Sequence, residues 1–254
     1  MIDRQVHLGA VRSLLGRSSV VAPDDDESAR WRAEFVQSFL ERDAPQLGVN
    51  VPATTLERFW AMLAHYHANV WNASELALSF GVSHRAVRRY LEALQATFMV
   101  RVLKPWQATL KKRQVKAPKV YLRDSGILHH FLDVQTREGL ERHPKVGASW
   151  EGFVVENLLR LLGAPERSCF FWRAHTGGEV DLVVRRGGEL RGFEIKRTSS
   201  PTLTRSMRRA MEDLGLARLD LVHAGADSYD LGAGVRAVSV ARLTEEIEPL
   251  WPRP

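Results

Sequence analysis

Asp181, Glu194 and Lys196 are the residues whose types and spacing could do chemistry. They lie in Gly177 to Arg197, GGEVDLVVRRGGELRGFEIKR, on either side of Gly187-Gly188, a pair suited to a two-residue type I′ turn. With that turn Arg186 pairs with Glu189, Asp181 falls opposite Glu194, and Glu179 falls opposite Lys196. These last four side chains then share one face, while Val180, Leu182, Val184, Phe193 and Ile195 supply the buried one. Two carboxylates facing each other across a strand pair, with Cβ atoms about 5 Å apart, repel unless something positive sits between them. A divalent metal ion meets that need. Oxygen ligands suit a hard ion such as Mg²⁺, which polarises a phosphate and lowers the pKa of bound water. A lysine alongside adds positive charge where a phosphoryl transition state accumulates negative charge. The same spacing also fits a surface ladder in which Glu179 pairs with Lys196 while Asp181 and Glu194 are solvated.

A second chemical signal is cationic. From Ser83 to Arg123 there are eleven Lys or Arg against one acid, Glu92, a local excess that points to nucleic acid as the partner. A helix capped at Thr54 or Thr55 carries Leu56, Phe59, Trp60, Leu63 and Tyr66, and Asn72-Ala73-Ser74 opens a shorter one over Glu75 to Phe80. Gly81-Val82-Ser83 then turns into a helix from His84 to Ala96. Ala77, Gly81 and Val87 stand where a helix-turn-helix needs a small contact residue, a turn residue free of φ restriction and an apolar anchor. On the second helix Val87, Tyr90, Leu91 and Leu94 form the buried stripe. His84, Arg85, Arg88 and Arg89 are left facing outwards, as a recognition helix requires. A β pattern at Phe98 to Leu103, the basic loop Lys111-Lys112-Arg113 and a strand near Lys119 to Leu122 complete a winged helix. Its cationic wing and helix favour DNA, since phosphate neutralisation supplies most non-specific affinity; a purely structural or protein-contact role is the other use of such a module.

The remaining elements must position these groups. Residues 1–50 read as a helical segment: an amphipathic stretch ending at Gly16, the apolar run Ser19 to Ala22, the acidic break PDDDES, and a helix from about Ala29 to Arg42 with Trp31, Phe35, Phe39 and Leu40 on one face. Residues 51–124 hold the winged helix, and 125–145 a helical linker. His129 and His130 are adjacent there, so on a helix they point about 100° apart and make a poor metal pair; they read as structural. Residues 146–244 form a mixed α/β unit. Its helix Ser149 to Leu162 offers Glu151 and Glu156, Cys169 to His175 is a strand leading into the hairpin, Thr202 to Leu214 a helix packed over the sheet, and Leu219 to His223 and Val235 to Val240 further strands. The fold class is thus α/β with an α+β mixture.

Composition sets outer bounds. A 254-residue chain with 44% hydrophobic residues can bury a substantial core. No run of about 18 apolar residues occurs, so no membrane association is expected. The first residues lack the apolar core of a secretion signal, and a single cysteine, Cys169, allows neither an internal disulfide nor a cysteine-based zinc site. A cytoplasmic location follows as the expectation. The net charge of +6 and pI near 9.8 agree with a polyanionic partner.

Together, the helical Glu151, Asp181 at a strand and Glu194-x-Lys196 on the next resemble the PD-(D/E)xK nuclease superfamily over roughly residues 146–241. The resemblance implies Mg²⁺ held by Asp181 and Glu194 with help from Glu151, and Lys196 orienting or activating the attacking water; Val180 stands where the type pattern has proline. Taken in order, ERDAPQLG, the winged helix, KVYLRDSGIL, VGASWEGFVVENLL, FFWRAHTGGEVDLVV and GFEIK also look like the C-terminal half of a family of bacterial AAA-type ATPases, and residues 1–22 like that family's beginning. The phosphate-binding pattern G-x-x-x-x-G-K-[ST] occurs nowhere in the chain. ATP binding is therefore not expected, and the resemblance implies an ATPase core lost by deletion or truncation. The expected function is DNA binding coupled to a Mg²⁺-dependent nuclease-like domain, with a non-catalytic DNA-binding or scaffold role as the alternative.

Overall fold

A computed structural model describes residues 25–106, 117–174 and 178–252. Lys111, Lys112 and Arg113 lie outside the described residues. The architecture is mixed α/β, with N-terminal helices followed by mixed parallel and antiparallel strands interspersed with helices. No helix among the described residues is long and apolar enough to cross a membrane. Among the described residues two compact units emerge: 25–102 with 117–152, and 103–106 with 153–174 and 178–252.

The first unit is mainly helical. Helix α1 (Asp25–Ser38) continues through a π-helical turn, Phe39–Asp43, and so runs from earlier than the periodicity predicts. Helix α2 spans Ala53–Tyr66, with Pro52 rather than Thr54 or Thr55 at its N-cap; proline's fixed φ and missing N–H suit a helix start. Strand β1 (Asn69–Val70) precedes α3 (Ala73–Phe80), whose first N–H groups are met by the Asn72 side chain, which accepts from Ser74 and Glu75. Gly81 takes the left-handed conformation at φ 68°, as the turn requires. Helix α4 (His84–Ala96) starts under Ser83, whose hydroxyl accepts from Ala86 N–H. Val87, Tyr90, Leu91 and Leu94 are the buried residues of α4. They join Leu56, Phe59, Trp60 and Leu63 of α2 in one core. Strand β2 (Val100–Pro105) begins two residues later than predicted, because Phe98 occupies an exposed turn with φ 61°. Strand β3 (Lys119–Leu122) pairs antiparallel with β1, Asn69 facing Val120. Helices α5 (Ser125–Phe131) and α6 (Arg137–Arg142) occupy the predicted linker, and α7 runs Val146–Leu162, its first residues in this unit and the rest in the second.

The second unit is built on a sheet ordered β2-β4-β5-β6-β7-β9-β8. The last residues of β2 pair parallel with β4 (Cys169–Arg173), which pairs antiparallel with β5 (Glu179–Arg186), as β5 does with β6 (Glu189–Lys196). Helix α8 (Arg205–Leu214) carries the chain from β6 to the parallel strand β7 (Arg218–His223), a link that parallel neighbours require. Strand β9 (Val235–Ser239) is parallel to β7, and β8 (Tyr229–Gly232), not foreseen from the sequence, closes the edge. Met207, Ala210 and Leu214 of α8 pack on Val180, Val183, Leu219 and Leu221.

Where parallel strands β6, β7 and β9 lie side by side, Asp220 is fully buried among arginines. Arg191 of β6 donates to its Oδ2 at 2.9 Å, while Arg218 of β7 and Arg236 of β9 donate to Oδ1 at 2.8 and 3.2 Å. Arg236 also pairs with Glu246 at 3.1 Å. One carboxylate thus ties three strands together through charge-assisted hydrogen bonds.

Candidate functional site

The hairpin forms with the predicted two-residue loop and register, Arg186 facing Glu189. Of the two loop residues only Gly187 has a positive φ, 60°, so the turn is not the predicted type I′, which needs positive φ at both central residues. The regular ladder continues to Leu182 opposite Phe193. There it stops. Between Phe170–Val183 and Trp172–Val180 the pairing of β4 with β5 shifts by one residue, a bulge at Asp181-Leu182. An inserted residue resets side-chain alternation, so Val180 joins Val183 beneath α8, where strict alternation would put them on opposite faces. This corrects the predicted grouping of Val180 with Leu182. The acids' own surroundings differ from expectation too: both faces of the hairpin are covered, with Asp181 4% and Glu194 6% exposed. A solvated salt-bridge ladder does not describe them.

Beyond the bulge the Asp181 side chain substitutes for a strand partner, its Oδ2 accepting from Ile195 N–H at 2.9 Å. Lys196 Nζ lies 2.7 Å from Glu194 Oε1, and the lysine side chain stays half exposed at 51%. Glu194 Oε2 is buried with no hydrogen-bond partner among the described residues. Burial pushes the Glu194 carboxyl up to about 8; the Asp181 charge adds to the rise, and Lys196 opposes it. Glu179 pairs with Arg173 at 3.6 Å. The structure therefore brings together Asp181, Glu194 and Lys196: two buried acids, one half-exposed cation paired with Glu194, and an oxygen left for a further positive group.

Glu151 belongs to the helical unit. Its Oε1 accepts from Lys119 Nζ at 2.9 Å and from Tyr121 Oη at 2.7 Å, with the lysine side chain only 3% exposed. Next to it Gly152 allows a close approach: a Cβ there would collide with the His67 ring. His67 Nδ1 accepts from Leu122 N–H at 3.0 Å. Burial pushes the His67 pKa down to about 3, with His129 and Lys145 adding to the shift. The ring is therefore neutral, with its proton on Nε2. Among the described residues no three His, Cys, Asp or Glu side chains gather where they could hold one metal ion. Lys119 and Tyr121 were not anticipated as partners of Glu151. The available signal was a lysine inside KVYL, a strand buried along its whole length, since a buried ammonium demands an acid.

On α4 the four predicted nucleic-acid residues, His84, Arg85, Arg88 and Arg89, are all exposed. Arg89 also lies over the Tyr90 ring at 5.8 Å, which orders its guanidinium.

Two family descriptions match, each over part of the chain: Domain of unknown function (DUF8612) over residues 18–138, and Domain of unknown function (DUF4143) over residues 146–243. The chain is homologous to uncharacterized mycobacterial proteins. It is 49% identical over 225 residues to Uncharacterized protein Rv2008c of Mycobacterium tuberculosis, an alignment covering 89% of this chain and 51% of the relative. Uncharacterized protein Mb2031c of Mycobacterium bovis gives the same figures. The chain thus spans about half the length of these curated relatives. No solved structure matches it.

Proposed function

We propose that the sheet unit is a PD-(D/E)xK-type, metal-dependent phosphodiesterase domain and that the helical unit is a winged helix that docks it on DNA. The observation that carries this reading is the buried Asp181 and Glu194, with Lys196 paired to Glu194 Oε1 and Glu194 Oε2 left without a hydrogen-bond partner among the described residues. Carboxylate oxygens are the donor set Mg²⁺ prefers, so these residues fit the ion, and Asp181 and Glu194 would hold it. When bound, such an ion supplies Lewis-acid stabilisation of a phosphoryl oxygen and a more acidic water. Lys196, half exposed at the mouth, is placed to orient a water or to meet the negative charge that develops on a phosphodiester. Arg85, Arg88 and Arg89, with His84, supply phosphate contacts on α4. By resemblance the two units would correspond to the C-terminal half of a bacterial AAA-type ATPase, a relation that the half-length alignment to the relatives accommodates.

One observation favours the rival reading of a non-catalytic DNA-binding protein with a degenerate nuclease fold. Glu151 is engaged by Lys119 and Tyr121, and no third metal-binding side chain joins the pair among the described residues. Incubating the chain with duplex and single-stranded DNA and Mg²⁺ separates the two. Cleavage abolished in both Asp181→Ala and Lys196→Ala supports the nuclease. DNA binding without cleavage, weakened in Arg85→Ala/Arg88→Ala and steeply salt-dependent, supports the rival. Salt-independent association, or none, would remove the DNA role from both.

A further inference from the structure

A cleft of about 290 Å³ opens in the helical unit between α1 and the C-terminal end of α5. Its size is at the lower end of small-molecule sites, roughly 300–1,000 Å³. Ala29 and Ala33, one turn apart on α1, leave the space, and Arg30 and Arg32 flank them. Across the cleft stand His130 and Asp133. Arg32 is held in place from two sides. One Nη donates to Ser28 Oγ at 2.6 Å, and its methylenes lie over Gly126, where an added Cβ would meet Cδ at 3.1 Å. Its Nε is nonetheless buried with no hydrogen-bond partner among the described residues. A fixed guanidinium with an unspent, desolvated N–H calls for an acceptor.

The charges around the cleft favour an anion. Among the described residues Asp133 is the single carboxylate lining it, and it already accepts from Gln135 Nε2 at 3.4 Å. The carbonyl end of α5 would oppose an anion, but N–H groups of Leu132, Asp133 and Val134 take up the carbonyls of Leu128, His130 and His129. His129 is engaged by Ser149 Oγ at 2.8 Å. Burial, then Arg32, lower the His130 pKa against the opposing pull of Glu57 and Asp133, which leaves a neutral ring able to donate one hydrogen bond.

We propose that this cleft is a binding site for a small oxyanion of the phosphate class, with Arg32 as the central donor and Arg30 and His130 completing the cradle. Planar guanidinium donors match tetrahedral oxyanions in geometry as well as charge. The site is separate from the exposed arginines of α4 and from the Asp181 and Glu194 pair, so it stands or falls independently of the nuclease reading. Titration of the full chain with inorganic phosphate, followed by calorimetry and by the His130 ring resonances, tests it. Saturable binding with a roughly millimolar Kd is expected, weakened at least about tenfold in Arg32→Gln and in the more exposed Arg30→Gln. Arg85→Ala/Arg88→Ala should leave it unchanged. Acetate, planar and singly charged, should bind more weakly. No saturable binding to the intact chain, equal affinity in Arg30→Gln and wild type, or acetate binding as tightly as phosphate would each overturn the assignment.

Discussion

Asp220 and Glu194 are both buried acids on neighbouring parallel strands, and the register places Asp220 beside Phe193, one residue from Glu194, so that the two point to opposite faces of the sheet. Their surroundings differ sharply. Asp220 receives guanidinium groups from three strands, whereas Glu194 has one half-exposed lysine and, within electrostatic reach, a second carboxylate. A buried charge given more than enough partners is a structural clamp. A buried charge given too few is a strained site that a positive ligand would relieve. The contrast teaches that burial alone does not mark function; the balance of charge around the buried group does.

That comparison can be broken experimentally. The largest effect is expected at the clamp: Asp220→Asn leaves three arginines without their common anion and should lower stability by about 3–5 kcal/mol in chemical denaturation. Next comes Mg²⁺, which should raise the stability of the wild type by about 2.7 kcal/mol at a hundredfold excess over its Kd, and have no such effect on Asp181→Ala. A smaller gain, on the order of 1–3 kcal/mol at pH 8 without metal, is expected for Glu194→Gln, because the amide removes a repelled charge and can donate towards Asp181. The pH dependence has a defined sign. Glu194 rises from an ordinary 4.5 to about 8 in the fold. The unfolded chain therefore releases this proton first, and stability contributed by protonated Glu194 is full below pH 4.5 and lost as pH climbs through 8. Melting temperatures of metal-free protein should fall over that window and flatten there in Glu194→Gln. The smallest change belongs to Lys196→Met. Half exposed, that lysine should shift stability by less than about 1 kcal/mol, while abolishing Mg²⁺-dependent DNA cleavage. A stability loss there as large as at Asp220 would mean that both sites are structural clamps.

Legibility in the sequence followed how local the physics is. The helix opening at Asn72, the turn at Gly81-Val82-Ser83 into a helix from His84 and the stripe Val87, Tyr90, Leu91, Leu94 all depend on interactions within a few residues, and the structure has them as read. The tip of the hairpin was equally readable, since Gly187-Gly188 sets its register. Three features were not. Asp181 and Glu194 were expected on the face opposite the hairpin's buried one, because a hairpin read alone does not reveal that both of its faces are covered. The bulge at Asp181-Leu182 arises against β4, a strand whose pairing no local pattern announces. The partners of Glu151, Lys119 and Tyr121, lie about thirty residues away in sequence.

By itself, then, the sequence determined which residues form helices, where turns fall and which side chains carry charge, because propensity, capping and alternation act over short range. Tertiary structure alone decided which charges are desolvated together. It surrounded Asp220 with three arginines, left Glu194 Oε2 without a partner and drew Glu151 to Lys119 and Tyr121. The energy of a buried charge depends on neighbours brought in from distant parts of the chain and on the water they exclude, and neither is written at any one position.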